Sequence, residues 1–418
     1  MREISARALA WEVVLSVERD GAFSNILLPR LLRESSLSER DRGFATELVY
    51  GSLRMRARCD AFIKAVSDRE LVDIDLKLLI TLRLGVYQMK VLGLPVHAAI
   101  NESVELAKIT SGRGASSFAN AILRKVINTK LSDESLEVTF SHPEWIINSY
   151  RDALRDEANL AAQLDANNQP AAPTLIAWPG RCEVSELLEA GAEPIEGSTR
   201  AVKYRGNPGE IPAIRERRAG VQDLGSQLVV ENFLATDSGG LHWLDLCAGP
   251  GGKAAYLDCH LGEALVANEP AHERSELLKQ VIRAAKVTSF DGRSIPSDLG
   301  EFDRILIDAP CTGIGSLRRR PELRWRRTPD QLRGLISLQS ELLKSAVSVL
   351  RPGGIIAYAT CSPHLAETKF QVRDFLRSNP DFHRISVSSH GDSDGDMQLW
   401  TYRDGTDSMF LSLLQRDT

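Results

Sequence analysis

Two cysteines follow apolar runs that are typical of buried strands. Cys311 comes directly after "RILIDAP", and Cys361 comes directly after "GIIAYAT". The carboxyl ends of strands in an open α/β sheet are where ligands bind, so both thiols are candidates for chemistry in one cleft. A free cysteine is more often a small buried apolar residue, and that is the interpretation for Cys59, Cys182 and Cys259.

Paired thiols suit a reaction on a pyrimidine ring. Carbon 5 of a pyrimidine is too weak a nucleophile to accept a methyl group unaided, but a thiolate that adds to carbon 6 makes it reactive. A second thiol can then assist release of the product. Asp308, at the end of the first apolar run, could hold or protonate nitrogen 3 of the ring. The spacing alone does not decide which of Cys311 and Cys361 attacks.

A basic run lies just after Cys311. Its six arginines are Arg318, Arg319, Arg320, Arg324, Arg326 and Arg327, with Glu322 as the one acid among residues 318–327. The net charge of the chain is −5, so this patch is local. Such a patch indicates contact with RNA phosphates, and positive charge beside a cysteine favours the thiolate. The alternative is a solvated charged loop.

A glycine-rich turn in "LDLCAGPGGKAAYL" separates a strand from a helix. Gly249, Gly251 and Gly252 would let the backbone approach a ligand closely, and Cys247 is expected to line that site. A phosphate-binding loop would need glycine at position 247 and serine or threonine at position 254, where the chain has cysteine and alanine. The dinucleotide pattern G-x-G-x-x-G also fails, since no late glycine follows Gly251.

Two acids at later strand ends indicate which ligand this turn binds. Glu269 lies twenty residues after Gly249 and can accept from two ribose hydroxyls. Asp291 closes the next strand and can accept from an adenine amino group. A helix N-terminus at the glycine turn favours a carboxylate. A nucleoside that ends in an amino-acid carboxylate meets all three conditions, and the predicted cofactor is therefore S-adenosylmethionine.

The elements that position these residues form three predicted regions. Residues 1–132 show apolar residues at helical spacing and predict an all-α bundle. Residues 133–218 are rich in proline, glycine and asparagine and predict a small mixed α+β region. Residues 219–418 alternate strands with helices, which predicts an α/β fold with a doubly wound, mostly parallel sheet. The final run "MFLSLLQR" is predicted to pair at one edge of that sheet.

Composition sets outer bounds on the class of protein. The 418 residues are 43% hydrophobic and 26% charged, as expected for a globular chain of two or three domains. No apolar run approaches the ~18 residues of a membrane span, and the N-terminus does not resemble a signal peptide. Six cysteines without CxxC spacing predict reduced thiols in the cytoplasm. We expect a monomer with no metal ion.

The motifs together resemble the bacterial RNA cytosine-C5 methyltransferases of the RsmB/Sun/Fmu type. "CAGPGGK" is similar to the cofactor loop of that family, and "DAPCTGIGSLRRRPELRWRR" and "TCS" are similar to its Pro-Cys and Thr-Cys motifs. The resemblance covers nearly the whole chain. It implies a NusB-like N-terminal RNA-binding domain followed by a Rossmann-like methyltransferase domain.

The resemblance also implies roles for individual residues. Cys361 is expected to be the nucleophile and Cys311 the thiol that aids release. The implied cofactor contacts are Cys247, Ala248, Gly249, Pro250, Gly251, Gly252, Lys253, Glu269, Asp291 and Asp308. The expected product is 5-methylcytosine in RNA, with 16S ribosomal RNA favoured as substrate. Transfer RNA is an alternative substrate. A non-catalytic RNA-binding assembly or antitermination factor is an alternative of another class.

Overall fold

The computed structural model of the chain describes residues 4–132, 135–238 and 241–418. They form two compact units. The first unit comprises Met1–Asn148, Leu160–Gln169 and Leu317–Arg326, and the second comprises Ser149–Asn159, Pro170–Ser316 and Arg327–Thr418. The predicted boundary at residue 133 lies outside the described residues, and the division into three regions stays a prediction. No helix in the described part of the chain is long and apolar enough to cross a membrane.

The first unit is helical, as predicted. Ser5, Ser38 and Asp75 each accept a hydrogen bond from a backbone N–H in the first turn of the helix that follows, which satisfies a donor that the helix leaves free. The helices are α1 (Ala6–Arg19), α2 (Ser24–Glu34), α3 (Glu39–Arg54), α4 (Arg56–Lys64), α5 (Leu76–Lys90), α6 (Val96–Ser111), α7 (Arg113–Ile127), α8 (Leu136–Phe140), α9 (Glu144–Leu154) and α10 (Glu157–Ala166). Helices α9 and α10 have residues in both units.

Helix α5 forms the centre of the helical core. Every residue from Leu78 to Met89 is buried, and a helix that is buried on all sides must be surrounded by other helices. The residues predicted from helical spacing, such as Leu9, Val13 and Val126, are buried in the same core. The hydrophobic pattern of the first 130 residues therefore identified the inward faces of these helices.

The arginine-rich segment Leu317–Arg326 folds as part of the first unit. It ends in the short helix α16 (Leu323–Arg326). Glu322 is buried and accepts hydrogen bonds from the backbone N–H and the hydroxyl of Ser24, at 3.2 and 2.8 Å. Arg326 donates to the carbonyl oxygens of Val17, at 2.9 Å, and Ala22. These contacts join residues some 300 positions apart in the sequence.

Arg324 has no exposed surface. Its guanidinium donates to the carbonyl oxygens of Arg54, Ser141 and Asn167, at 2.8, 3.2 and 2.9 Å, and to the side-chain oxygen of Asn168 at 2.7 Å. The prediction that Arg324 contacts RNA is wrong for this arrangement, because its donors face protein oxygens in the interior. Arg324 is a structural residue of the first unit.

We expect Arg324→Met to lower the free energy of unfolding by about 3 kcal/mol, because it leaves several buried oxygens without a donor. Thermal unfolding followed by circular dichroism measures the change. Arg333→Met is the matched control, since Arg333 lies on the surface with its side chain 82% exposed. A variant at position 324 that unfolds at the same temperature as the control would contradict the structural role.

The residues predicted as a small mixed region, 133–218, contain three strands of a four-stranded antiparallel sheet in the second unit, and the fourth strand begins at residue 219. Its strands are β1 (Thr174–Ala177), β2 (Glu193–Pro194), β3 (Ala201–Lys203) and β4 (Ala219–Val221), in the order β2-β3-β1-β4. The accompanying helices are α11 (Val184–Glu189) and α12 (Pro212–Arg215). The polar, proline-rich composition therefore conceals short strands.

The second sheet of this unit carries the predicted strand ends. Its strands are β5 (Trp243–Asp245), β6 (Leu265–Asn268), β7 (Lys286–Thr288), β8 (Phe302–Asp308), β9 (Leu350–Thr360), β10 (Phe382–Ile385), β11 (Met397–Gln398) and β12 (Phe410–Arg416). The helices around it are α13 (Leu224–Leu234), α14 (Gly252–Leu261), α15 (His272–Lys279), α17 (Pro329–Val347), α18 (Lys369–Ser378) and α19 (Thr401–Asp404).

The strand order of this sheet is β10-β12-β9-β8-β5-β6-β7, with β11 paired to β12. Strands β5 to β9 pair in parallel with one another, whereas β12 is antiparallel to β9, which confirms the predicted doubly wound, mostly parallel α/β fold. The chain runs outward from β5 in both directions, so β5 and β8 lie at the reversal of strand order, where such sheets bind ligands. The prediction for the last strand is corrected: β12 pairs with both β9 and β10 and is not an edge strand.

Both faces of this sheet are covered, which explains the continuous apolar runs. Along β8, Leu306 belongs to one core cluster, whereas Ile305 and Ile307 belong to the cluster on the other face. Side chains alternate between the two faces of a strand, and a parallel sheet with helices on both sides needs apolar residues at every position. Strands β8 and β9, which lead directly to Cys311 and Cys361, are therefore packed on both faces in the core.

Candidate active site

The two cysteines meet at one edge of the large sheet. Cys311 lies three residues after β8, and Cys361 comes directly after β9, the parallel neighbour of β8. Their sulfur atoms are 3.4 Å apart. Cys311 is buried, with 8% of its surface exposed, and Cys361 is half-buried. The structure thus brings together the two residues that the sequence predicted to share one site.

The two thiols have different electrostatic surroundings. Contact with Cys361 and burial together raise the pKa of Cys311 well above its ordinary value, so Cys311 keeps its proton. Burial acts against the charge on Lys253, but the Asp308 carboxylate and the Cys361 sulfur outweigh it and raise the pKa of Lys253. A protonated thiol on one side and an ammonium on the other favour the negative charge on Cys361.

Lys253 is a cation that interacts with the Cys361 sulfur. Lys253 lies in the first turn of α14 and forms an ion pair with Asp308 at 2.7 Å. Within the run, Arg327 donates to the carbonyl oxygen of Thr312 at 3.1 Å in the second unit. Arg318, Arg319 and Arg320 are half-buried in the first unit, and their contact with RNA stays a prediction, as does that of Arg326 and Arg327.

The glycine turn connects β5 to α14 and passes close to the end of β6. A Cβ atom at Gly249 would overlap the Glu269 side chain, so any other residue there would have to displace that acid. Gly251 has φ +116, a backbone conformation that residues with a Cβ rarely adopt. The turn thus brings its backbone against Glu269, one of the two acids predicted to bind the cofactor.

Glu269 is almost fully buried and points at the glycine turn. It accepts a hydrogen bond from the backbone N–H of Ala271 at 2.9 Å and forms an ion pair with Arg274 at 3.2 Å. Arg274 also donates to the carbonyl oxygen of Gly249. Arg274 was not among the predicted site residues, although its position in the first turn of α15, the helix that follows Glu269, was a usable signal.

Asp291 follows β7 and lies on the surface. The Arg293 guanidinium bonds both of its carboxylate oxygens, at 2.6 and 3.0 Å, and lowers the pKa of Asp291 to about 2. The carboxylate is therefore ionised at neutral pH and able to accept from an amino group. Its contact with a cofactor stays a prediction.

Asp245 is the residue that sequence reasoning missed most clearly. It ends β5 just before the glycine turn, has no exposed surface, and neither carboxylate oxygen has a hydrogen-bond partner among the described residues. Burial, followed by the negative charge of Asp308, raises the pKa of Asp245 to about 7. A buried acid without a partner is costly, and such groups mark functional sites.

One group of acids could in principle hold a metal ion. Within the described ranges, Asp392, Asp394 and Asp396 bring their carboxylates together in a loop after β10. The ammonium of Lys369 lies within 3.4 Å of all three. A cation of the protein therefore already balances this cluster, which belongs to a different part of the sheet from the cysteine pair.

Two family models match the chain. The model described as 16S rRNA methyltransferase RsmB/F matches residues 233–415, which include the glycine turn and both cysteines. The NusB family model matches residues 4–128, the helical part of the first unit. The first match lies in the α/β part of the chain and the second in its helical part.

Curated relatives match 90% or more of the chain. The putative methyltransferase Rv1407 of Mycobacterium tuberculosis is 39% identical over 99% of this chain and 97% of its own length. The ribosomal RNA small subunit methyltransferase B of Vibrio vulnificus is 30% identical over 90% of this chain and 92% of its own length. Both alignments include the α/β region and the helical region.

Solved structures share the fold. The crystal structure of PH0851 has a TM-score of 0.84 at 24% identity and covers 99% of both chains. NSun6 from Pyrococcus horikoshii, solved with SFG, has a TM-score of 0.58 at 15% identity over 66% of this chain and 98% of its own. These structures show the fold alone. Because the curated relatives are 30% and 39% identical over 90% or more of the chain, the chain belongs to the RsmB/F family of 16S rRNA methyltransferases, with a NusB-like domain at its N-terminus.

Proposed function

We propose that the chain transfers a methyl group from S-adenosylmethionine to carbon 5 of a cytosine in RNA. The favoured substrate is 16S ribosomal RNA, and the reaction passes through a covalent bond between Cys361 and carbon 6 of the base. The observation that carries this proposal is the pair of thiols 3.4 Å apart at the ends of β8 and β9. Membership of a family of S-adenosylmethionine-dependent RNA methyltransferases supports the reaction class.

The residues around the glycine turn fit the cofactor. Asp245 supplies a buried carboxylate for which the described part of the chain offers no side-chain hydrogen-bond donor, which suits the positively charged amino-acid end of S-adenosylmethionine. Glu269 supplies a second acid for ribose hydroxyls, and Gly249 allows the backbone to come close to it. When bound, S-adenosylmethionine supplies the methyl group to carbon 5. The chain's own part is to bind, orient and activate the base.

Cys361 begins the reaction as a thiolate. Its sulfur forms a bond with carbon 6, and the electron pair of the 5,6 double bond is then available at carbon 5. Lys253 stabilises the thiolate before attack, because its ammonium is held beside Cys361 by the Asp308 ion pair. The other oxygen of Asp308 can accept a hydrogen bond from the exocyclic amino group of cytosine, which orients the ring.

Cys311 acts after the methyl group has been transferred. A water molecule takes the proton from carbon 5, so that the 5,6 double bond re-forms and the Cys361 sulfur leaves as a thiolate. Cys311 lies against that sulfur and keeps its own proton, so it can hydrogen-bond to the departing thiolate. This role makes Cys311 an acid at the release step and leaves the attack to Cys361.

Cofactor binding is expected to depend on the ionisation of Asp245. Its pKa is raised to about 7, so the ionised fraction grows as pH rises through 7, and a cationic ligand prefers that form. We expect the affinity for S-adenosylmethionine, measured by isothermal titration, to increase about eightfold from pH 6 to pH 7.5.

The Asp245→Asn variant should bind the cofactor weakly and without this pH dependence. Asp291→Asn is the control, because the pKa of Asp291 is about 2 and its charge does not change over the range. The groups that face Asp245 (Asp308, Glu269, Lys253 and Cys247) remain in both variants. Equal affinity of the wild-type protein at both pH values would contradict a role for the Asp245 carboxylate.

The substrate is identified by bisulfite sequencing of total RNA from a strain that lacks the protein. We expect one cytosine of 16S ribosomal RNA to lose its resistance to bisulfite and to regain it when the gene is restored. Loss of resistance in transfer RNA instead would change the substrate and keep the reaction. Unchanged RNA, together with no binding of S-adenosylmethionine in isothermal titration, would favour the non-catalytic RNA-binding factor.

A further inference from the structure

A buried carboxylate links the loops that carry the two cysteines. Glu367 lies six residues after Cys361 and has no exposed surface. It accepts hydrogen bonds from the backbone N–H of Thr312 at 2.8 Å, from the Thr312 hydroxyl at 2.5 Å, and from the Gln339 amide at 3.2 Å. Thr312 is the residue next to Cys311, so these bonds hold the Cys311 loop to the segment after Cys361.

A second contact strengthens this link. The hydroxyls of Thr312 and Ser362 are 3.1 Å apart, and Ser362 is the residue next to Cys361. The immediate neighbours of both thiols are therefore joined in one network with Glu367. All members are fully buried, and all lie in the second unit. A charge taken out of water is retained at low cost only when several donors surround it, as they do here.

The network has no place in the bond-making steps of the proposed reaction. Its donors all belong to the protein, and the Glu367 carboxylate has no solvent-exposed surface for contact with RNA. The hydroxyl of Tyr358, a residue of β9, donates a hydrogen bond to the backbone carbonyl oxygen of Glu367 at 2.8 Å, and this bond ties Glu367 to β9. The contacts constrain one quantity that matters to catalysis, the separation of the Cys311 and Cys361 sulfur atoms.

We propose that Glu367 is a positioning residue that sets the distance between the two thiols, and so controls release of the methylated base. This inference rests on the proposed covalent mechanism. Release needs Cys311 in contact with the departing sulfur, whereas attack needs only Cys361. A displaced Thr312 would move Cys311 and slow release while leaving the attack and the cofactor site intact.

The test is the Glu367→Gln variant of the full chain. Glutamine has the same shape but offers one acceptor oxygen, and its NH₂ group would face a Thr312 donor or the Gln339 amide. We expect turnover to fall about 10- to 100-fold, the effect of a displacement on the ångström scale. The KM for S-adenosylmethionine should not change, and a covalent protein–RNA complex should accumulate on a denaturing gel.

Two controls separate positioning from a general loss of structure. Glu341→Gln makes the same change on the exposed side of α17, two residues from Gln339, and should behave as wild type. In a Cys311→Ala background, Glu367→Gln should add no further loss, because it acts through Cys311. Should Glu367→Gln fail to fold, Thr312→Val removes the hydroxyl at the same contact and should also accumulate the complex.

The outcomes distinguish this inference from the mechanism beneath it. If Cys311→Ala itself traps no covalent complex, the proposed mechanism fails. If Cys311→Ala traps the complex but Glu367→Gln folds, turns over at the wild-type rate and traps nothing, the positioning role is wrong. An additive loss in the double variant would likewise contradict a role that acts through Cys311.

Discussion

A Cys361→Ala variant is expected to transfer no measurable methyl group to RNA while it still binds S-adenosylmethionine. Removal of a nucleophile from a covalent mechanism lowers turnover by about 10⁴-fold or more, because the remaining groups cannot activate carbon 5. Transfer is measured with tritium-labelled cofactor on unmethylated 16S ribosomal RNA, and cofactor binding by isothermal titration. Position 361 is not part of the glycine turn, so the affinity for S-adenosylmethionine measured by the titration should be unchanged.

The control for this variant removes a thiol elsewhere in the same unit. Cys259 lies in α14, and burial raises its pKa to about 11, so it is not a nucleophile at neutral pH. Cys259→Ala should keep wild-type turnover. Appreciable methyl transfer by Cys361→Ala would mean that another group attacks the base, and the assignment of the nucleophile would then be wrong.

A Cys311→Ala variant is expected to attack the base and then remain attached to it. The substitution removes the thiol 3.4 Å from Cys361 that assists departure of the sulfur. The protein should appear as a slowly migrating complex with RNA on a denaturing gel, and the complex should contain one transferred methyl group. Turnover should fall to a small fraction of the wild-type rate, because each molecule completes only one attack.

The double variant Cys311→Ala, Cys361→Ala supplies the control for this complex. It should form none, since the attacking sulfur is absent. A complex that persists in the double variant would show attachment through some other residue. A single Cys311→Ala variant that turns over normally and forms no complex would remove Cys311 from the mechanism.

The strands and the thiol pair could be predicted from sequence because local pattern determines them. Apolar runs such as "RILI" can be satisfied only between two packed layers, and Cys311 and Cys361 lie just beyond such runs. Strands β8 and β9 are parallel neighbours, so their ends coincide. No long-range information beyond the βαβ pattern was needed to bring the two sulfur atoms together.

The role of the arginine run could not be read in the same way. A guanidinium beside a phosphate and one inside a cage of carbonyl oxygens have the same sequence signal. The partners of Arg324 come from Arg54 and Ser141, 270 and 183 positions away. Only the fold shows that this arginine faces inward. Lys253, whose position in the glycine turn suggested a role in cofactor binding alone, also places a positive charge near Cys361.

Asp245 and Glu367 were missed for a related reason. Each is an acid near a recognised motif, and neither motif's chemistry required it. What sets them apart is burial: Asp245 has no partner for its carboxylate, and Glu367 has three hydrogen bonds. Burial of a single polar residue depends on packing from elements distant in the sequence, which local patterns do not record.

The most direct test of the central claim is to find which atom of the protein bonds to the base. A 16S ribosomal RNA transcript made with 5-fluorocytidine holds fluorine where a proton must leave, so a covalent adduct at carbon 6 cannot break down after methyl transfer. We predict that mass spectrometry of the trapped wild-type protein will find a methylated fluorocytosine on the peptide that contains Cys361. Attachment at Cys311, or no attachment at all, would contradict the mechanism.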